Sequence, residues 1–138
     1  KNPTVFVIHG PNLNLLGQRE PDVYGKHSLN EINEMLMHVA ERHHVDLKPF
    51  QSNHEGEIID QIHQGIAESV GLVINPAGYT HTSVAIRDAL AAYPHPSVEV
   101  HLSNVFQRES FRHESLMTPV VTGCITGLGV EGYRLALL

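Results

Sequence analysis

Cysteine occurs once in the 138 residues, at Cys124, and tryptophan is absent. A single thiol excludes a disulfide framework within the chain and fits a reducing compartment. Basic residues are scarce: nine Lys and Arg stand against fifteen Asp and Glu, for a formal charge of −6. Such a balance lacks the basic face that a nucleic-acid footprint needs. No apolar run approaches the roughly 20 residues of a membrane span. The early run Thr4–Ile8 is also too short for the core of a signal peptide. A cytoplasmic protein, with no nucleic-acid or membrane partner, is the expectation.

Length and composition suit one domain over residues 1–138. With 41% hydrophobic and 17% charged residues, the chain is globular rather than disordered. At this size about two-thirds of the unfolded surface can be buried, so folding needs no disulfide or metal. Histidine is the compositional surplus, at eleven residues. His27, His38, His43, His44, His63 and His95 sit in polar contexts and read as solvent-facing. His9, His54, His81, His101 and His113 fall in segments of more interest.

Short β-branched runs alternate with helical patterns from end to end. Thr4–Ile8 is a continuous apolar run, as expected of a strand covered on both faces. Ser28 and Glu31 form a capping box, and Leu29, Ile32, Leu36, Val39 and Ala40 behind it make one helical stripe. Val45–Phe50 reads as a less apolar, edge-like strand. Glu55–Ala67 is a second amphipathic helix carrying Ile58, Ile59, Ile62 and Ile66. A third strand lies at Leu72–Ile74, a helix at Ser83–Ala92, and a fourth strand at Ser97–His101. Pro119–Val121 reads as the start of a fifth strand, and Gly127–Leu138 as a final helix packing through Leu128, Tyr133, Leu135, Ala136 and Leu138. Five strands alternating with helices predict an α/β fold. At this length the natural architecture is a flavodoxin-like three-layer sandwich, with a five-stranded parallel sheet in the order 2-1-3-4-5.

Ligands of such sheets bind beyond the carboxyl ends of the strands, at the switch between strands 1 and 3. That rim collects His9, Asn12 and Asn14 after strand 1, and Asn75, Tyr79 and His81 after strand 3. Glu99, His101, Ser103 and Asn104 follow at strand 4. Gly10-Pro11-Asn12 matches neither a dinucleotide fingerprint nor a phosphate loop. Gly127 and Gly129 near the end suit close packing instead. No nucleophile elbow is present, and Lys1, Lys26 and Lys48 look exposed, which removes Schiff-base chemistry. A receiver module would need acidic residues where His9, Gly10 and Asn75 stand. His9, His81 and His101 form a conceivable metal set, but no motif with ligand spacing supports one.

What remains is acid–base chemistry on a small anion. Arg19 lies five residues before Tyr24 in a polar segment. A neighbouring guanidinium favours phenolate, which makes Tyr24 a candidate base. The alternative is a tyrosine that covers the sheet beside a solvated arginine. His101, two residues from Glu99 on one strand face, is the candidate acid, its charge supported by that carboxylate.

Five stretches in order carry a resemblance. They are His9-Gly10-Pro11-Asn12-Leu13-Asn14-Leu15-Leu16-Gly17 with Arg19, Pro21, Tyr24 and Gly25; Ser52-Asn53-His54-Glu55-Gly56-Glu57; Asn75-Pro76 with Tyr79-Thr80-His81-Thr82-Ser83; Glu99-Val100-His101-Leu102-Ser103-Asn104; and Gly132-Tyr133-Arg134-Leu135-Ala136-Leu137. Together they resemble the type II 3-dehydroquinate dehydratases over essentially the whole chain. The resemblance implies the flavodoxin-like fold and a lyase that dehydrates 3-dehydroquinate to 3-dehydroshikimate in the shikimate or quinate pathway. It implies an anti elimination through an enolate, with no metal or cofactor. Tyr24 then matches the base, Arg19 the residue that lowers its pKa and holds a lid over Leu16–Lys26, and His101 the acid oriented by Glu99. Asn12 matches a residue that positions a water on the enolate. Asn75, His81 and Arg112 match the hydroxyl-binding set, Leu102 and Ser103 the amides on the carboxylate, and Arg108 a second lid arginine. Asp88 matches a residue lent by a neighbouring subunit, within a homo-oligomer built as a dodecamer of four trimers. Three departures from the family pattern, Gly78 for Ala, Glu114 for His and Thr118 for Ser, fall on no residue assigned to chemistry. The expectation is that they leave activity undisturbed. The segment around His54 reads as structural.

Overall fold

The computed structural model describes residues 2–18 and 27–138. Its sheet has five parallel strands: β1 (Thr4–His9), β2 (Asp46–Gln51), β3 (Gly71–Asn75), β4 (Ser97–His101) and β5 (Gly123–Thr126), in the order β2-β1-β3-β4-β5. Helices α1 (Leu29–Arg42), α2 (Glu55–Glu68), α3 (Val84–Ala92) and α4 (Val130–Leu137) cover it. The flavodoxin-like sandwich and its strand order are those expected from the alternation of elements.

Period-two alternation sorts the strand residues into two cores. Phe6, Ile8, Leu72 and Ile74 face α2 and α3, packing on Ile58, Ile62, Ile86 and Leu90. Val7, Val73 and Val100 face α1 and α4, packing on Ile32, Leu36 and Tyr133. The capping box forms as expected: Glu31 N–H donates to Ser28 Oγ, and Ser28 N–H donates to Glu31 Oε1 at 3.0 Å. Ile32, Leu36, Val39 and Ala40 of its stripe are buried, with Leu29 partly so.

Four expectations need correction. The fifth strand begins at Gly123, not Pro119; Val120 and Val121 instead fold back onto the α2–α3 core, with their amides bonded to the Met117 carbonyl. The last helix starts at Val130 because Gly127 and Gly129, both with positive φ, turn the chain between β5 and α4. Leu128, Leu135 and Leu138 remain exposed, as does Ile66 at the end of the α2 stripe. His27, His38, His43, His44 and His63 are solvent-facing as read; His95 is half-buried, donating to the Ile66 carbonyl at 3.0 Å.

The segment at His54 is structural. Ser52 Oγ accepts from His54 N–H and donates to the Glu57 carboxylate, securing the start of α2. One glycine is fixed by a close approach. A Cβ at Gly10 would lie 2.5 Å from the Pro76 carbonyl oxygen, where the loops after β1 and β3 meet.

His9 closes β1 and is fully buried. Its Nε2 lies 2.8 Å from Asn33 Oδ1, an acceptor, so Nε2 carries the proton and Nδ1 accepts from the Tyr133 hydroxyl at 3.0 Å. Burial pushes its pKa down to about 4, against the raising effect of the Asn33 bond. The unfolded ring takes up its proton near pH 6.5 and the native ring only near pH 4, so between these values the unfolded chain binds more protons. Stability therefore rises with pH across that window and is lost as pH falls through it, by on the order of 3 kcal/mol. Urea denaturation from pH 7 to pH 4 should show the wild-type midpoint falling more steeply than that of His9→Asn, which has no ring to protonate. Parallel curves would remove His9 as the cause.

Candidate active site

The carboxyl ends of β1, β3 and β4 surround a cleft of about 120 Å³. Asn12 and Leu13 approach from the loop after β1, Asn75, Ala77 and Gly78 from β3, and His101, Leu102, Arg108 and Arg112 from β4 and the turns behind it. This is the switch-point rim, where the two neighbouring crossovers leave in opposite directions.

Backbone geometry there is unusual. Asn12 (φ 69°) and Ala77 (φ 54°) are non-glycine residues in the left-handed region. Asn tolerates it because its short polar side chain is compatible with the turn. Ala77 is held by its amide, which donates to Asn75 Oδ1 at 3.0 Å. Asn12 is tied through its own N–H to Asn53 Oδ1 at 2.9 Å.

Glu99 is the most enclosed charge of the site, with no solvent exposure. Three donors converge on it: His101 Nε2 at 2.5 Å and Ser115 Oγ at 2.7 Å on Oε2, and Thr118 Oγ1 at 2.6 Å on Oε1. Burial alone would raise its pKa, but the bonds from His101, Thr118 and Ser115, with the charge of His101, bring it below the ordinary value. Glu99 is thus a carboxylate, and the shared proton sits on His101 Nε2. The other ring nitrogen, Nδ1, remains to serve the cleft that His101 lines.

The remaining polar groups are arranged around this pair. Arg108 Nε donates to Ser103 Oγ at 2.8 Å, with Nη2 on the same oxygen. Arg112 Nε donates to Glu109 Oε2 at 2.6 Å. His81 Nδ1 donates to the Glu114 carbonyl at 2.7 Å, which leaves Nε2 an acceptor; it is buried and has no hydrogen-bond partner among the described residues. Burial first, and then the charges of His101, Arg112 and Arg108, hold the His81 pKa down against the Glu114 bond. The ring therefore stays neutral and Nε2 stays an acceptor. Two arginines line this rim in a chain of net charge −6.

Of the residues singled out from sequence, Asn12, Asn75, His101, Leu102, Arg108 and Arg112 line the cleft. Glu99 stands behind His101, Ser103 beneath Arg108, and His81 within electrostatic range of His101, Arg108 and Arg112. Asp88 does not join them. It is exposed on α3, 3.9 Å from Arg87. Arg19 and Tyr24, and most of the lid expected over Leu16–Lys26, lie outside the described residues. His9 does not converge with His81 and His101, since both its ring nitrogens are taken within the core. Among the described residues the group able to hold a metal is Glu99, His101 and Cys124, with ligand atoms mutually within 4.8 Å. Any ion there would have to displace the donors already on Glu99. The Cys124 thiol is pushed up to about 11 by burial and then by the Glu99 charge.

Two contributors escaped the sequence reading. Ser115 was not singled out, and Thr118 was set aside as a departure without bearing on the chemistry; both hydroxyls hold Glu99. They come from an irregular segment 16 and 19 residues downstream, with no periodicity to announce them.

An oriented imidazole and two guanidinium groups on one small cleft, with a neutral histidine within electrostatic range of them, suit acid–base catalysis on an anionic, hydroxylated molecule. Comparison with known proteins gives the family. The model of the family "Dehydroquinase class II" matches residues 3–138. A 3-dehydroquinate dehydratase of Halothermothrix orenii is 57% identical over 133 residues, covering 96% of this chain and 90% of that protein. One from Acaryochloris marina is 53% identical over 135 residues, covering 98% and 91%. The crystal structure of the type II dehydroquinase from Butyrivibrio crossotus has a TM-score of 0.96 at 45% identity, covering 99% of this chain and 95% of that one. The chain belongs to the class II dehydroquinase family and is an enzyme of the hydro-lyase type.

Glu99→Gln would turn an acceptor into a donor against three donors. We expect kcat to fall on the order of 10²-fold, Thr118→Val to cost less, and Thr118→Ser to restore the wild-type rate. Steady-state kinetics on the three variants reads this directly, and a Thr118→Val enzyme at full rate would deny the hydroxyl a part in setting the pair.

Proposed function

We propose that this enzyme dehydrates 3-dehydroquinate to 3-dehydroshikimate by an anti elimination through an enolate. The observation that carries the reading is the His101–Glu99 pair opening into a cleft with Asn75, Arg108 and Arg112. Tyr24 is the base. It takes the axial proton from C2, which the adjacent C3 ketone acidifies, and the C–H electron pair becomes the enolate. Arg19 lowers the phenol's pKa and holds the lid. Asn12 positions a water that stabilises the enolate oxygen. As the enolate collapses, the C1–O bond breaks, its electrons leave with oxygen, and His101 supplies the proton that makes water. Glu99 keeps the imidazole oriented for that transfer.

For the substrate, His81 Nε2 is an acceptor and Asn75 a donor for hydroxyls, with Arg112 beside them. Leu102 and Ser103 supply amides to the carboxylate, and Arg108 serves the lid. Asp88, exposed on α3, completes the site of a neighbouring subunit in a dodecamer of four trimers. The enzyme works in the cytoplasm, on a small-molecule substrate, without cofactor; no described helix is long and apolar enough to cross a membrane.

The test is ultraviolet absorbance on mixing the protein with 3-dehydroquinate in the presence of a chelator, since only the product is a conjugated enone-carboxylate. A rise is expected. A flat trace from folded protein would overturn the reading, and a rise that chelator suppresses would move it to a metal at Glu99, His101 and Cys124. Tyr24→Phe is expected to abolish turnover with substrate binding retained, and His101→Ala to be nearly inactive. Arg19→Ala should move the pKa of the base upward in the pH–rate profile; an unmoved profile would contradict its role.

A further inference from the structure

Asn53, two residues beyond the end of β2, is bonded to the loops after both β1 and β3. Its Oδ1 accepts from the Asn12 N–H at 2.9 Å, and its carbonyl accepts from the Tyr79 hydroxyl at 3.0 Å. A backbone N–H can only donate, so the end of the carboxamide that faces Asn12 is Oδ1. Gln51 reinforces that orientation. Gln51 Nε2 donates to the Gly10 carbonyl at 3.2 Å, and the same nitrogen lies 3.2 Å from Asn53 Oδ1 and 3.4 Å from Asn14 Oδ1. The Gly10 carbonyl can only accept, so main-chain groups of the β1 loop set the orientation of both amides.

What these bonds hold is the conformation of Asn12. Its φ of 69° is left-handed, which a residue with a side chain keeps only where its surroundings compel it. The N–H that Asn53 receives belongs to the Pro11–Asn12 peptide. Rotating that peptide to relieve φ would turn the N–H away from Asn53. The Asn12 carbonyl is committed as well, accepting from the Leu15 N–H at 3.0 Å. By contrast, the Asn12 side chain caps nothing in the turn Leu13–Leu15 that follows, and the residue lines the cleft. The main chain of Asn12 is fixed while its carboxamide is left for a ligand.

We propose that Asn53 is a positioning residue for Asn12. By accepting the Asn12 N–H it keeps that residue left-handed, so that the Asn12 carboxamide meets the water that stabilises the enolate. Asn53 does not line the cleft and acts through Asn12. The water serves the enolate more than the bound substrate, so loss of the Asn53 acceptor falls on kcat more than on KM.

The inference rests on the dehydratase reading for the role of Asn12, so its test has an arm that does not. Asn53→Leu keeps the bulk and removes the acceptor, whereas Asn53→Asp keeps an oxygen facing both donors. The Tyr79 bond goes to the main chain and is open to either variant. We expect Asn53→Leu to lower kcat roughly tenfold with a smaller change in KM, and Asn53→Asp to recover most of the wild-type kcat. In an Asn12→Ala background, Asn53→Leu should cost no further kcat. Losses that add, or an Asn53→Asp enzyme no faster than Asn53→Leu, would overturn the proposal. A crystal structure of Asn53→Leu reads the positioning without turnover: Asn12 is expected to leave the left-handed region. An Asn12 φ still near 69° would equally refute it. Should Asn53→Leu fail to fold, Asn53→Ala takes its place in each comparison. Wild-type protein inert toward 3-dehydroquinate would sink the dehydratase reading, while the Asn12 conformation in the variant would still judge the positioning.

Discussion

Glu99 is an ionised carboxylate with no access to water, in the middle of a sheet otherwise built of Val, Ile and Leu. Burying such a charge is costly unless donors replace its hydration. The three donors that do so come from β4 itself and from the irregular segment before β5. Much of the site's order follows from meeting that requirement. The segment carrying Ser115 and Thr118 must return to the end of β4, which brings Met117 into the α2–α3 core and Val120 and Val121 with it. The fifth strand can start only once that return is complete, at Gly123. Orienting His101 is thus one consequence of an electrostatic demand that also shapes the loop.

On the opposite face of the sheet the solution is different. His9 and Asn75 are polar, buried and neutral: His9 is satisfied by Tyr133 and Asn33, and Asn75 Oδ1 by the Ala77 amide. The two faces meet at the cleft with complementary properties. One presents a group that holds and releases a proton; the other presents a donor whose direction is fixed. Alternation along strands of period two is what allows neighbouring rim residues to be supported by two separate cores.

The fold was legible because its signals are local and strong. The capping box at Ser28 and Glu31, the apolar stripe on α1 and the apolar runs of β1 and β3 each declare an element within a few residues. The fifth strand was misplaced because Pro119-Val120-Val121 has β-branched composition without a strand partner; its role is to pack, which composition does not distinguish. Residue type makes Leu128 and Leu135 look like core, but Leu128 lies in the turn before α4, and α4 turns only part of its surface to the sheet. Within the site, Glu99 and His101 were visible because they are two residues apart on one strand. Ser115 and Thr118 were not, since their partnership depends on how an irregular loop returns in space. The Arg19 and Tyr24 assignments rest on pattern, as both lie outside the described residues.

Gly10 and Gly78 lie near one another in the site yet differ in what evolution can do with them. At Gly10 any side chain meets the carbonyl of Pro76 within bonding-range repulsion, and that carbonyl cannot retreat without loosening the β1–β3 junction. At Gly78, on the wall of the cleft, an added methyl group meets nothing within 4 Å. The mouth of the pocket can therefore be narrowed or widened one carbon at a time from the β3 side. The backbone junction at Gly10 admits no such change.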